Sequence, residues 1–99
     1  HGETGLHWAS FGGHARIVKT LLRWRAPLHV EDQRFGGTPL GWGLHGWLDP
    51  SPDSDKSGFY EVVARLIRAG ATFNPETPNA KRALADRKMR AALHGKLPR

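Results

Sequence analysis

Six histidines, His1, His7, His14, His29, His45 and His94, are the side chains of this chain most suited to acid–base or metal chemistry, and their spacing argues against both. No two stand four apart beside a glutamate, the arrangement that would turn two imidazoles and a general base to one side of a helix. The absence of cysteine removes thiolate ligands, disulfides and cysteine nucleophiles together. Asp49, Asp53 and Asp55 lie in DPSPDSDKSG, but the alternating acids, central glycine and closing glutamate of a calcium loop are missing, so a solvated loop is expected. Gly36-Gly37 has no lysine placed to reach a phosphate and reads as a turn. Neither G-x-x-x-x-G-K-[ST] nor G-x-S-x-G occurs. We therefore assign no catalytic residue, metal ligand or cofactor, and expect no small-molecule substrate.

The formal charge of +6 raises a different chemistry, the recognition of anions. The excess is confined to the tail: residues 80–99 hold seven Lys or Arg against one Asp, whereas residues 1–79 hold eight of each sign. Lys81, Arg82, Arg87, Lys88 and Arg90 are interspersed with Ala80, Ala83, Leu84, Ala85, Met89, Ala92 and Leu93, the pattern of one basic helix that is solvated on one side and covers a core with the other. No aromatic interleaves these cations to stack on bases, so nucleic acid is not the expected partner. No apolar run approaches the roughly 18 residues of a membrane span, and the cytoplasm is the expected compartment.

The elements that must position these groups are helical. Thr4 is suited to cap a short helix carrying Leu6, Ala9 and Ser10 on a narrow apolar face, and Gly12-Gly13 breaks it. Ile17, Val18, Leu21, Leu22 and Trp24 then recur at near-helical spacing with Arg16, Lys19 and Arg23 between them, predicting an amphipathic helix of about three turns. Thr38-Pro39 starts a second unit, since proline at the first helical position gives up an amide that had no partner. Gly70 suits a left-handed stop after Leu66-Ile67. The Leu40-to-Leu66 spacing is 26 residues against 15 from Leu6 to Leu21, which places the insertion at 49–58 inside the second hairpin.

The run GETGLHWASFGGHARIVKTLLRWRAPLHVED, from Gly2 to Asp32, returns in part as GGTPLGWG and YEVVARLIRAGA. Gly2, Thr4, Leu6, His7, Ala9, Gly13, His14, Ile17, Val18, Leu21, Leu22, Ala26 and Asp32 fit the pattern of an ankyrin repeat, which the chain resembles over about three quarters of its length. Thr4 and Thr38 lie 34 residues apart, against a family period of about 33. The departures are Gly5 in place of proline, Arg25 in place of the helix-ending glycine, and Gly41 and Gly43 in place of His and Ala. A left-handed Arg25 would be strained by about 1 kcal/mol, and each glycine weakens its helix by roughly 1 kcal/mol relative to alanine. The second opening, FGGTPLGWGLHGW, is similar to units of bacterial arrays.

The resemblance implies an all-α, ankyrin-type solenoid of helical hairpins: a repeat over 1–35, a second over 36–76 carrying the insertion, and a basic capping helix with its tail over 77–99. Thr4, His7, His14, Thr38, Pro39 and Gly70 take the structural repeat positions, with the His7 and His14 imidazoles tying neighbouring turns together. Because the chain begins at His1 inside a hairpin, it is expected to be the C-terminal piece of something longer and marginally stable alone. The implied function is non-catalytic binding of another protein on a concave surface. Trp8, Phe11, Trp42 and His45 occupy its variable helix positions, and Arg34 and Phe35 its hairpin tip beside Glu31, Asp32 and Gln33. Trp42 and Trp47 also suit a second role, filling the space left by Gly41, Gly43 and Gly46. Two other uses remain open: an electrostatic contact of the basic helix with nucleic acid or an acidic partner, marked by steep salt dependence, and a purely structural end-cap.

Overall fold

Threonine, proline and glycine punctuate the helices as their backbone chemistry dictates. The computed structural model describes residues 4–33 and 37–98, and these form α1 (Gly5–Phe11), α2 (Ala15–Arg23), α3 (Pro39–Leu48), α4 (Phe59–Ala69), α5 (Ala80–Ala85) and α6 (Arg87–Leu93). No strand occurs among the described residues. Thr4 caps α1 from extended backbone, accepting the His7 N–H at 3.3 Å, while His7 Nδ1 accepts the Thr4 N–H at 3.0 Å. This is a capping box with an imidazole in the place usually held by Glu or Gln. Thr38 caps α3 by accepting the Gly41 N–H at 3.3 Å, with Pro39 in the first turn.

Four helices close in the same way. The residue after the helix, or the one beyond it, turns left-handed at Gly13 (φ 71°), Arg25 (φ 60°), Gly70 (φ 115°) and Gly95 (φ 81°). In each case its N–H bonds three residues back and the next N–H five residues back, as in Arg25 to Leu22 and Ala26 to Leu21, both at 3.0 Å. Arg25 performs the turn without the freedom of glycine.

The core joins all the hairpins. Leu6, Val18, Leu40, Leu44, Phe59, Val62, Val63, Leu66, Met89 and Ala92 are buried in one cluster. α1 lies against α3 and α2 against α4, so the two hairpins pack in parallel register, and α6 covers α4. The glycines of α3 explain the close approach to α1: a Cβ built on Gly46 would stand 2.1 Å from the Phe11 carbonyl oxygen, and one on Gly43 3.6 Å from Ser10. What reads in the sequence as weak helix propensity is here a contact surface without side chains. Ser10 Oγ is buried at this contact with no hydrogen-bond partner among the described residues.

Three expectations are corrected. Ile17 (52% exposed) and Trp24 (81% exposed) do not join the inward face of α2. Val18 occupies it, flanked by half-buried Leu21 and Leu22; Ile17 lies about 100° around the helix from Val18, and Trp24 follows the last turn. The single basic helix is two, α5 and α6. Asp86 (φ −87°, ψ 123°) leaves helical geometry and its Oδ1 accepts the Met89 N–H at 2.8 Å, since a short carboxylate is more favourable as a cap than inside a helix. The insertion is not simply a solvated loop. Asp53, Asp55 and Lys56 are exposed, but the Asp55 N–H donates to the Gly12 carbonyl at 2.8 Å, and a Cβ on Gly58 would stand 2.0 Å from the Gly13 carbonyl oxygen. Backbone of the insertion is thus stitched to the α1–α2 turn.

Candidate functional site

Helical spacing places Trp8 and Phe11 three apart on α1 and Trp42 and His45 three apart on α3, so each pair shares one face of its helix. Because α1 and α3 lie side by side, the four rings meet. Trp8 and Trp42 are 5.0 Å apart between centroids at 82°, Phe11 and Trp42 6.0 Å at 74°, and Trp8 and Phe11 6.2 Å at 86°. His45 stacks on Phe11 at 6.0 Å and 19°. Edge-to-face packing of this kind fixes ring orientation at about 1 kcal/mol per pair. Trp8 is nonetheless 55% exposed, His45 is exposed, and Phe11 and Trp42 are half-buried.

Trp42 is held from beneath. Its Nε1–H donates to Asp32 Oδ1 at 3.0 Å, and the same oxygen accepts the Gly37 N–H at 2.7 Å. Asp32 is 2% exposed, so it is a buried positioning carboxylate and not part of an exposed hairpin tip. The Asp32 N–H donates to the Gly37 carbonyl at 3.0 Å, and the fully buried His7 also binds that carbonyl through Nε2, at 2.9 Å. Since Nδ1 accepts from Thr4, the proton of the neutral ring belongs on Nε2. His7 therefore ties the start of α1 to the loop preceding α3, the role the family pattern implied, and its ring edge also meets Trp42 at 5.1 Å.

His14 differs. It is half-buried and makes no side-chain cap for α2; its ring lies over Gly12, where an added Cβ would approach it to 2.5 Å. Its role is packing rather than the buried, hydrogen-bonded one the family position implied. Trp47 faces away from the groove and packs edge-to-face on Tyr60 at 6.2 Å, so it is a space-filling residue. Arg34 and Phe35 lie outside the described residues.

The rings line a groove of about 520 Å³ together with Gly37, Gly41, Thr77, Pro78 and Asn79. The last three come from the bend before α5, and nothing in their sequence marks them as part of a site. The lining is largely apolar, with His45, Thr77 and Asn79 as its polar side chains, and is suited to desolvating a side chain. Among the described residues no group of three His, Cys, Asp or Glu is placed to hold a metal ion, and no helix is long and apolar enough to cross a membrane.

Residues 1–33 match the family model described as Ankyrin repeat. The first third of this chain is an ankyrin repeat. Its T-x-x-H capping box, the Gly13 turn and the Asp32 hairpin are thereby members of a recognised pattern, and the all-helical hairpin architecture is the one the ankyrin family builds. The chain is similar to Palmitoyltransferase AKR1 of Lachancea kluyveri, at 34% identity over 85 residues, which is 86% of this chain and 10% of that protein. It is also similar to Palmitoyltransferase AKR1 of Candida glabrata, at 31% identity over 80 residues, 81% of this chain and 9% of that protein. The chain thus spans about a tenth of the length of the curated relatives it matches. No solved structure gives a significant match. Ankyrin repeats generally mediate protein–protein interaction, and the repeat region itself is non-catalytic.

Proposed function

We propose that this chain is a non-catalytic protein-binding module whose partner seats a side chain in the groove of Trp8, Phe11, Trp42 and His45. The observation that carries this reading is the convergence of four aromatic rings from two successive hairpins onto one open groove. The rings are oriented by one another and by Asp32, yet remain partly uncovered. Rings already fixed in place lose little torsional freedom on binding, so more of the buried area appears as affinity. Palmitoyl transfer is in the name of proteins roughly nine times the length of this chain. Without a cysteine this segment can carry no acyl thioester, and in such a protein its role would be recognition.

The test is affinity capture with the chain and its Trp8→Ala/Phe11→Ala variant, followed by titration of the captured protein. The expected result is a loss of roughly 30-fold or more in affinity, the consequence of removing about 2 kcal/mol of anchor contacts, with a cooperative thermal transition retained at a lowered midpoint, since Phe11 is half-buried and the ring pairs are lost with it. An unchanged affinity with a lowered midpoint would instead make the rings structural and the chain an end-cap.

A further inference from the structure

Aromatic groove and basic tail are separate features in the sequence, and the fold makes them neighbours. Thr77, Pro78 and Asn79 wall the groove, and α5 starts at the next residue, Ala80. Lys81 and Arg82 therefore stand two and three residues beyond the wall. The Cα of Lys81 lies within about 7 Å of that of Asn79 on chain geometry alone, and its extended side chain adds a further reach of about 6 Å. Both cations are exposed, and neither has a hydrogen bond or ion pair among the described residues. Two other basic groups of this region are engaged: Lys88 Nζ sits 5.9 Å from the Tyr60 ring centre, and the Arg90 guanidinium donates to the Leu84 carbonyl at 3.0 Å. Glu76 precedes the wall and offsets one of these two charges, so the segment 76–82 is net positive.

We infer that the groove takes a peptide segment with an aromatic or branched aliphatic side chain seated among Trp8, Phe11 and Trp42, and with Asp or Glu beside it facing Lys81 and Arg82. The inference rests on the groove being the binding surface, as proposed above. Charge complementarity selects this occupant. Among the described residues the groove lining contains no Lys or Arg, and Lys81 and Arg82 follow it closely in the chain beyond Asn79. A nucleic-acid strand presents phosphate along its whole length, whereas a peptide can place its carboxylates at one end of an apolar anchor. Rim charges of this kind set partner choice and association rate more than they deepen affinity.

The test is selection of a random dodecapeptide display library on the immobilised full chain at low salt. Recovered peptides are then titrated against the chain, the Trp8→Ala variant and the Lys81→Glu/Arg82→Glu variant. Both lysine and arginine are exposed, and glutamate is favourable in a first helical turn, so charge reversal leaves the fold intact. The expected peptides pair an aromatic or aliphatic residue with Asp or Glu within a few positions. They weaken on Trp8→Ala and lose about tenfold in affinity on charge reversal, with most of that difference gone at high salt. Peptides that depend on Trp8 but lack acidic residues, or that bind the charge-reversed chain equally well, overturn the acidic preference and leave the groove standing. Recovery of no Trp8-dependent peptide overturns both readings. Displacement of the peptides by equimolar oligothymidylate assigns the surface to nucleic acid and overturns the inference.

Discussion

At the residue scale the decisive side chains are small, polar and buried. Asp32 receives two donors, the Gly37 N–H and the Trp42 indole N–H, through one carboxylate oxygen. Truncation to alanine leaves both without that acceptor, and an unsatisfied buried donor costs roughly 1–3 kcal/mol. Asp32→Ala is expected to lower unfolding free energy by at least about 2 kcal/mol and to broaden the Trp42 indole N–H resonance; denaturant unfolding and a nitrogen–proton spectrum check the two effects. Arg25 carries strain of the opposite kind, a side chain held at φ 60° where the other three helix stops use glycine. Arg25→Gly relieves about 1 kcal/mol of that strain, less the entropy glycine gains when unfolded. The expected outcome is a net gain of no more than about half a kcal/mol, measured as a raised denaturant midpoint at unchanged slope.

At the element scale, α1 and α3 approach because α3 presents glycine where α1 presents backbone. Gly46→Ala would put a methyl group 2.1 Å from the Phe11 carbonyl oxygen, a contact that only separation of the helices can relieve. Overpacking of this sort costs roughly 1–3 kcal/mol, and a backbone contact this close belongs at the upper end, above the roughly 1 kcal/mol alanine gains in helix propensity. The variant should therefore melt lower despite its better helix former, and the groove rings should separate with the helices, visible as a change in near-ultraviolet circular dichroism. Gly41 is the contrast within the same helix. A Cβ there meets only Thr38 Oγ1 at 3.8 Å, so propensity alone decides its substitution.

At the scale of the whole molecule the hairpins and the basic helices are one body. The radius of gyration is 11.8 Å and the extents are 32 × 29 × 26 Å, close to the about 13 Å expected for a compact domain of this length. Met89 and Ala92 of α6 are buried in the core shared with Leu6, Leu44 and Val63. Cutting the chain after Asn79 exposes that surface and forfeits at least the roughly 2 kcal/mol of a buried methionine, a large share of the stability of a small domain. The shortened chain is expected to lose its cooperative thermal transition. A retained sharp transition would mean that α5 and α6 cover nothing essential.

Local chemistry in the sequence determined much of this protein. The N-caps Thr4 and Thr38, the Gly70 stop, the Gly12-Gly13 break and the ankyrin pattern of the first repeat depend on residues within a few positions of one another, and helix signals are local for that reason. The nomination of Trp8, Phe11, Trp42 and His45 came from their places in the repeat, and that they meet as one cluster was decided in tertiary structure. So was the wall supplied by Thr77 to Asn79, the burial of Asp32 beneath Trp42, and the exposure of Ile17 and Trp24 on a helix whose inward face is filled by Val18 and its neighbours. Those outcomes depend on distances between segments tens of residues apart, set by how closely backbones can approach. Periodicity records which residues share a face of a helix; it does not record what that face will touch.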